Sequence, residues 1–140
     1  MEITDLQIND LVYDKSFTPS IFPCRIYSIE GRYPRRNKDF NDKPLIDVWV
    51  GDGFLSSHIE NIEPIPITIE ILTKNGFLPF GEDYYYEAKE RNSTFKLYRQ
   101  YGSRWYITVC GVCQYIYYVH ELQHALRLCG LNELANDFKI

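Results

Sequence analysis

Aromatic side chains fall in short runs along this chain, separated by residues that form turns. The 140 residues include 12 tyrosines, 8 phenylalanines and 2 tryptophans, or 16% of the chain. Aromatic and β-branched residues favour strands, in which successive side chains point to opposite faces. In the runs Tyr84–Tyr86 and Tyr115–Tyr118, half of the rings are therefore expected in the core and half on the surface. The pattern favours many short strands with amphipathic faces.

Composition and charge limit the class of protein. Apolar residues make up 45% of the chain and charged residues 24%, which is typical of a folded globular domain and not of a disordered or fibrous chain. Fifteen basic residues against nineteen acidic residues give a net charge of −4. No overall basic field is therefore present to attract a nucleic-acid backbone, and any such contact has to be local.

The N-terminal part, residues 1–64, predicts a small sheet. Runs with strand character are separated by turn-forming residues, and residues 30–44 are typical of a long hairpin loop. Closure is one way for such a short sheet to hide its edges, so we expect a small SH3-like β-barrel or a curled sheet. The predicted strands are Leu11–Tyr13, Cys24–Ile29, Leu45–Val50 and Ser57–Ile62.

The C-terminal part, residues 65–140, predicts helices around a second set of strands. Thr68 is expected to cap a short helix that runs to about Asn75, with Gly76 just past its end. An antiparallel meander follows, and a final helix ends at Gly130. The predicted meander segments are Asp83–Lys89, Thr94–Arg99, Trp105–Cys110 and a fourth that extends to Tyr118, and the apolar stripe of the final helix is Val119, Leu122, Leu126 and Cys129. The fold class is thus α+β, with subdomains 1–64 and 65–140 in one compact unit.

The segment His120–His124 matches the HExxH pattern. On a helix this pattern places two imidazoles one turn apart, with Glu121 beside them, as in zinc hydrolases. A catalytic zinc also needs a third protein ligand, and no residue at metzincin spacing supplies one. We favour a structural interpretation, in which both imidazoles share a polar helix face with Arg127. A zinc-dependent hydrolase with His120 and His124 as ligands and Glu121 as base is the alternative.

Cys110 and Cys113 form a CxxC pair. With His120 and His124 they give four ligands of the right type for zinc, but the gap before His120 is much shorter than the roughly twelve residues of a zinc finger. A redox dithiol is disfavoured because the predicted helix begins several residues too late to lower a thiol pKa. We therefore interpret both cysteines as small apolar fillers near a turn, and we predict no metal or other cofactor.

One basic cluster lies on the predicted long loop. Guanidinium groups beside an aromatic ring are able to hold a phosphate or stack on a base, although an exposed solvated loop explains the same residues. Local nucleic-acid contact through this loop is a second alternative. The residues concerned are Arg32, Tyr33, Arg35, Arg36 and Lys38.

The sequence also gives expectations about location. The first ten residues carry acidic groups before any apolar run, unlike a signal peptide, and no stretch of 18 apolar residues is present to cross a membrane. Because a signal peptide is not expected, the four cysteines are expected to be reduced thiols. We expect a cytoplasmic protein without a membrane partner.

Three segments carry a resemblance to a family: residues 6–13, residues 62–77 and residues 118–124. Together they resemble an uncharacterised family of small proteins encoded by gut bacteria of the Bacteroides group and by their phages and mobile elements. The family pattern has Gln where this chain has Glu121 and Asn where it has His124. The resemblance therefore implies that HExxH is completed here by chance and that His120 is the recurring feature. It transfers no activity.

Together these observations predict a non-catalytic binding or accessory protein of phage or mobile-element origin. Its partner is expected to be a protein, because rings that remain exposed on a strand face are suited to a protein interface. The contact region is either that aromatic surface or the loop from Arg32 to Lys38.

Overall fold

The structure is a computed structural model that describes residues 5–16, 22–30, 45–49, 53–89, 92–100, 104–109 and 111–140. The chain divides into two compact units, Met1–Ile65 and Pro66–Ile140. In the described part of the chain, no helix has both the length and the apolar character needed to cross a bilayer.

The first unit contains a five-stranded antiparallel sheet. Its strands lie in the order β4-β3-β2-β1-β5, and a short 3-10 helix, Ile59–Asn61, connects β4 to β5. One face of the sheet supplies the core, which includes the buried side chains of Val12, Ile26, Ile46 and Val48. The strands are β1 (Leu11–Asp14), β2 (Phe22–Glu30), β3 (Leu45–Trp49), β4 (Phe54–His58) and β5 (Ile62–Pro64).

The described strands of this unit do not close into a barrel, so the closed form of the expected SH3-like barrel is wrong. Strand β4 pairs with β3 and strand β5 pairs with β1, and no ladder joins β4 to β5. Closure is not needed to protect the edge at β5, because this strand has only three residues and ends in Pro64. A register shift between Ile26 and Ser28 is a bulge, which increases the local twist of β2.

The second unit contains another five-stranded antiparallel sheet and three short helices. The strands lie in the order β10-β9-β8-β7-β6, each beside its neighbour in sequence, so the predicted meander is confirmed. The additional edge strand β6 was not predicted, and its edge position tolerates Pro79. The elements are α1 (Ile69–Lys74), β6 (Leu78–Phe80), β7 (Asp83–Ala88), β8 (Ser93–Gln100), β9 (Arg104–Val109), β10 (Val112–Ile116), α2 (Val119–Leu128) and α3 (Asn132–Asn136).

Helix α1 begins and ends where the sequence predicts. The Thr68 hydroxyl accepts the backbone N–H of Ile71 at 3.3 Å, which caps the first turn. Gly76 follows the helix with a φ of 83°, a conformation that strongly favours glycine. The buried amide of Asn75 donates to the Lys139 carbonyl and accepts the Lys139 N–H, both at 2.7 Å. The end of α1 thereby holds the C-terminal tail in place.

One face of the second sheet is buried and the other is exposed. The rings of Phe77 and Phe95 meet edge to face at 6.3 Å between centroids. This contact packs Phe77, which follows α1, against the inner face of the sheet. Helix α2 buries Val119, Leu122 and Leu126, the stripe that the sequence predicts, whereas Cys129 is exposed. The outer face carries the alternate residues of each strand, because successive side chains point to opposite faces. The inner-face strand residues include Phe95, Leu97, Trp105, Ile107 and Ile116.

Candidate functional site

The HExxH residues lie in helix α2, where the i, i+4 spacing places His120 and His124 on one face of the helix. His120 is only 3% exposed, whereas His124 and Arg127 are partly buried. The imidazole of His120 lies parallel to the ring of Tyr118, with 5.9 Å between centroids. It meets the imidazole of His124 edge-on at 5.8 Å. The two imidazoles thus share a helix face, as the sequence predicts, but that face is largely buried, and the ring of Tyr118 lies over His120.

Glu121 caps the helix. One oxygen of its carboxylate, Oε2, accepts the backbone N–H of Tyr117 at 2.7 Å and that of Tyr118 at 3.1 Å. The bond from Tyr118 satisfies an N–H group that the helix start leaves without an intrahelical partner, and the bond from Tyr117 holds the residue just before it. A negative charge in the first turn also interacts favourably with the helix dipole. Glu121 thus has a structural role that explains its presence without any reaction.

Of the two other predicted metal ligands, only Cys113 is among the described residues, and it forms no metal-holding group with these imidazoles. Cys113 is exposed on strand β10, and Cys110 lies outside the described residues. Across the part of the chain that the structure describes, no three His, Cys, Asp or Glu side chains form a group able to hold a metal ion. The predicted basic loop residues also fall outside the described part, namely Arg32, Tyr33, Arg35, Arg36 and Lys38.

The most extensive functional candidate is a line of tyrosines on the outer face of the second sheet. Tyr98, Tyr106 and Tyr115 lie on the neighbouring strands β8, β9 and β10, where Tyr106 is the register partner of both others. Tyr117 and Tyr118 continue the line to the start of helix α2. We call these five residues the tyrosine row.

Consecutive rings of the tyrosine row contact one another. Tyr98 and Tyr106 are stacked, with centroids 5.2 Å apart and planes 20° apart. Tyr106 and Tyr115 meet edge to face at 6.3 Å, and Tyr115 stacks with Tyr117 at 6.3 Å and 27°. Tyr117 and Tyr118 are tilted by 51° at 6.3 Å. The row therefore forms one continuous aromatic surface across three strands.

The tyrosine row presents both apolar edges and polar groups to solvent. Tyr115 is 40% exposed, Tyr117 is 48% exposed and Tyr118 is 36% exposed. The Tyr115 hydroxyl donates to Oε1 of Gln100 at 2.8 Å. Desolvation by neighbouring side chains raises the pKa of Tyr106 above its ordinary value, and nearby ionisable groups, first among them Cys113, add to this effect. Tyrosine is protonated at neutral pH even at its ordinary pKa, so the hydroxyl of Tyr106 is able to donate a hydrogen bond.

Sequence reasoning found one end of this surface, and it missed the middle and the other end. The run Tyr115–Tyr118 was recognised as a source of exposed rings, but Tyr98 and Tyr106 were not connected to it. Their contact depends on the register between β8, β9 and β10, which places residues 98, 106 and 115 side by side. Alternation along each predicted strand was the available signal, since all three follow or precede a buried apolar residue.

Comparisons of the chain with protein-family models, with curated proteins and with solved structures found no match. Function is therefore inferred from the residues of the chain itself.

Proposed function

We propose that this chain is a non-catalytic binding protein that uses the tyrosine row to bind another protein. The observation that carries the proposal is the continuous contact of tyrosine rings on the exposed face of the second sheet. Tyrosine is enriched at protein interfaces because it combines a large apolar ring with a polar hydroxyl. A surface of this composition is able to bury apolar area and to donate hydrogen bonds to a partner.

The orientation of the rings favours a protein over a nucleic acid or a sugar. A base stacks on an open aromatic face. The faces of Tyr98 and Tyr106 cover each other at 5.2 Å and 20°, and those of Tyr115 and Tyr117 are only 27° from parallel. Edges and hydroxyl groups remain for a partner, and such groups suit the mixed side chains of a protein surface better than a stacked base.

The charge of the chain also favours a protein partner. A net charge of −4 provides no general attraction for a phosphate backbone. It favours instead a partner whose contact surface is neutral or basic, because complementary charges steer association and like charges oppose it. A second copy of this acidic chain is for the same reason a less suitable occupant than a different, basic protein.

The position of Glu121 supports the non-catalytic part of the proposal. A hydrolase base has to receive a proton from water, whereas this carboxylate holds two backbone N–H groups at the start of α2. The zinc-dependent hydrolase is the alternative function, and the zinc content of the purified chain distinguishes it from a binding protein.

We propose further that the chain is an accessory protein of a phage or mobile element and acts in the cytoplasm. The three resembling segments support the first point, and the free thiols of Cys24, Cys113 and Cys129 agree with the second. We also propose a curled, SH3-like form for the open sheet of the first unit, whose strands lie in the order β4-β3-β2-β1-β5.

Affinity capture with matched variants tests the proposal. The tagged full-length chain is incubated with nuclease-treated lysate of the cell that encodes it, and retained proteins are quantified by mass spectrometry. The test variant combines Tyr115→Ser with Tyr117→Ser. The control is Tyr27→Ser, which replaces a tyrosine of similar exposure, 53%, on strand β2 of the other unit.

We expect the wild type and the control to retain the same protein and the double variant to lose it by about tenfold or more, the effect of 1.4 kcal/mol at an interface. Circular dichroism of all three chains checks that the variants remain folded. Equal retention by the double variant contradicts the proposal. A parallel capture from untreated lysate is the reference, and retention there that is lost after nuclease treatment supports nucleic-acid binding in its place.

A further inference from the structure

We propose that a pocket at the end of the tyrosine row binds a basic side chain, arginine or lysine, of the partner protein. This inference rests on the proposed function, since it assumes a protein partner, and it identifies one chemical group that the partner must carry.

The pocket lies on the outer face of the second sheet, over strands β6, β7 and β8. Its volume is about 330 Å³. This is at the lower end of the range for small-molecule sites, so it suits a single side chain better than a large cofactor. Tyr98 lines the pocket and also belongs to the tyrosine row, so the two features form one surface. The side chains that line it include Phe80, Asp83, Tyr85, Glu87, Lys96 and Tyr98.

Four aromatic residues provide the apolar part of the pocket: Phe80, Tyr84, Tyr85 and Tyr98. Phe80 is 76% exposed, which leaves a large apolar ring in contact with water at the edge strand β6. A cation over an aromatic face is attracted by the ring quadrupole, and the alkyl stem of arginine or lysine covers apolar surface at the same time. A basic side chain therefore satisfies this part of the pocket.

Two carboxylates provide the negative part. The Oδ1 atom of Asp83 accepts the backbone N–H of Arg99 at 2.9 Å, which fixes the orientation of this half-buried carboxylate. Glu87 is exposed and, among the described residues, makes no side-chain hydrogen bond or ion pair. Hydrogen bonds from a cation to a carboxylate are stronger than neutral ones. Both groups are thus suited to receive a guanidinium or ammonium group.

Lys96 makes it possible to test whether the group that binds in the pocket is positively charged. It lies opposite Tyr85 in the register of β7 and β8, so its positive charge is in the same pocket. The two carboxylates leave the lining with a net negative charge, but Lys96 repels an incoming cation. Removal of the Lys96 charge should strengthen the binding of a basic side chain, and removal of the Glu87 charge should weaken it.

The experiment is a titration of the isotope-labelled full-length chain, followed by amide chemical shifts. The probe is a capped Gly-Arg-Gly tripeptide, and the matched peptide has citrulline, a neutral analogue of the same shape, in place of arginine. We expect saturable shifts at Tyr85, Glu87 and Lys96 with the arginine peptide and at least about tenfold weaker binding of the citrulline peptide, because a charge-assisted contact is lost.

Three variants complete the test. Glu87→Gln is expected to weaken binding of the arginine peptide several-fold, and Lys96→Met is expected to strengthen it several-fold. Glu133→Gln, which removes an exposed carboxylate from helix α3, is the matched control and should leave binding unchanged. The dispersed amide spectrum of each variant shows directly that it is folded.

Equal binding of both peptides, shifts that map outside the pocket, or weaker binding by Lys96→Met each contradicts the inference. The result of this titration can be distinguished from the result of the capture experiment that tests the proposed function. If the arginine peptide does not bind but Tyr115→Ser with Tyr117→Ser abolishes protein capture, only the pocket assignment is wrong. If the peptide binds in the pocket and capture does not depend on the tyrosines, the proposed function is wrong.

Discussion

The carboxylate of Glu121 accepts the backbone N–H of Tyr117 at 2.7 Å and thereby joins the tyrosine row to the first turn of α2. The same carboxylate is the acidic residue of the HExxH sequence. Its hydrogen bonds connect the two features that the sequence presents as separate candidates, and they make Glu121 a support for the aromatic surface.

Replacement of Glu121 tests this structural role. Glu121→Ala removes both hydrogen bonds to backbone N–H groups and is expected to cost about 1 kcal/mol of stability, the usual effect of a lost helix cap. Glu121→Gln keeps an acceptor oxygen and should cost less. Urea unfolding measures both values. Identical stability of the wild type and Glu121→Ala contradicts the capping role.

Zinc content separates the binding protein from the alternative hydrolase. A catalytic zinc needs three protein ligands, and the described residues provide no such group around His120 and His124. After incubation with zinc and gel filtration, the full-length chain is expected to carry no stoichiometric zinc by elemental analysis, with no further change in His124→Asn. About one zinc per chain that is lost in His124→Asn supports the hydrolase.

The buried thiol of Cys24 gives a pH dependence. Burial and, second, the nearby Asp14 raise the pKa of Cys24 from 9.0 to about 12. The folded chain therefore keeps its proton at pH values where the unfolded thiol has lost it. The resulting stability is fully present below pH 9 and is lost as the pH rises towards 12, by up to about 1.4 kcal/mol per pH unit.

Two measurements check this prediction. The free energy of unfolding should fall more steeply above pH 9 for the wild type than for Cys24→Ala, which has no thiol to ionise. At pH 8, a maleimide should label the exposed thiols of Cys113 and Cys129 in the folded chain and leave Cys24 unmodified. Parallel pH profiles together with rapid labelling of Cys24 contradict its burial.

Asn75 is expected to control the order of the C-terminal tail. Asn75→Ala removes the two hydrogen bonds to Lys139 and the one to the Ile71 carbonyl, and should cost about 2 kcal/mol because buried partners lose their contacts. Hydrogen exchange at the Lys139 amide should accelerate. The exposed Asn136→Ala in helix α3 is the control. Unchanged exchange at Lys139 in Asn75→Ala shows that the tail is held by other contacts.

Local signals in the sequence predicted much of the fold. Thr68 and Gly76 defined helix α1, because a hydroxyl cap and a left-handed glycine act on neighbouring residues alone. Alternating runs defined the meander in the same way. Barrel closure was not predictable, because it depends on whether β4 and β5 pair. Edge strand β6 was missed because proline within a short segment argues against a strand, and Pro79 is the middle residue of β6.

The candidate site was less predictable than the fold. The burial of His120 depends on the ring of Tyr118, which the helical pattern of α2 alone does not reveal. The tyrosine row depends on the register of three strands, and the pocket depends on β6, the strand that the sequence did not predict. The pairing of strands that are distant in sequence thus determines this surface, whereas a motif such as HExxH contains information only about residues close together in the sequence.

Site-specific photo-cross-linking in the encoding cell tests the central claim most directly. A benzophenone amino acid replaces Tyr117, which is 48% exposed in the tyrosine row, and in a matched chain it replaces Tyr27, which is 53% exposed on the other unit. The account predicts that light joins the chain substituted at position 117 to one distinct protein and that the chain substituted at position 27 gives no such product. A product of equal yield at both positions, or none at position 117, contradicts it.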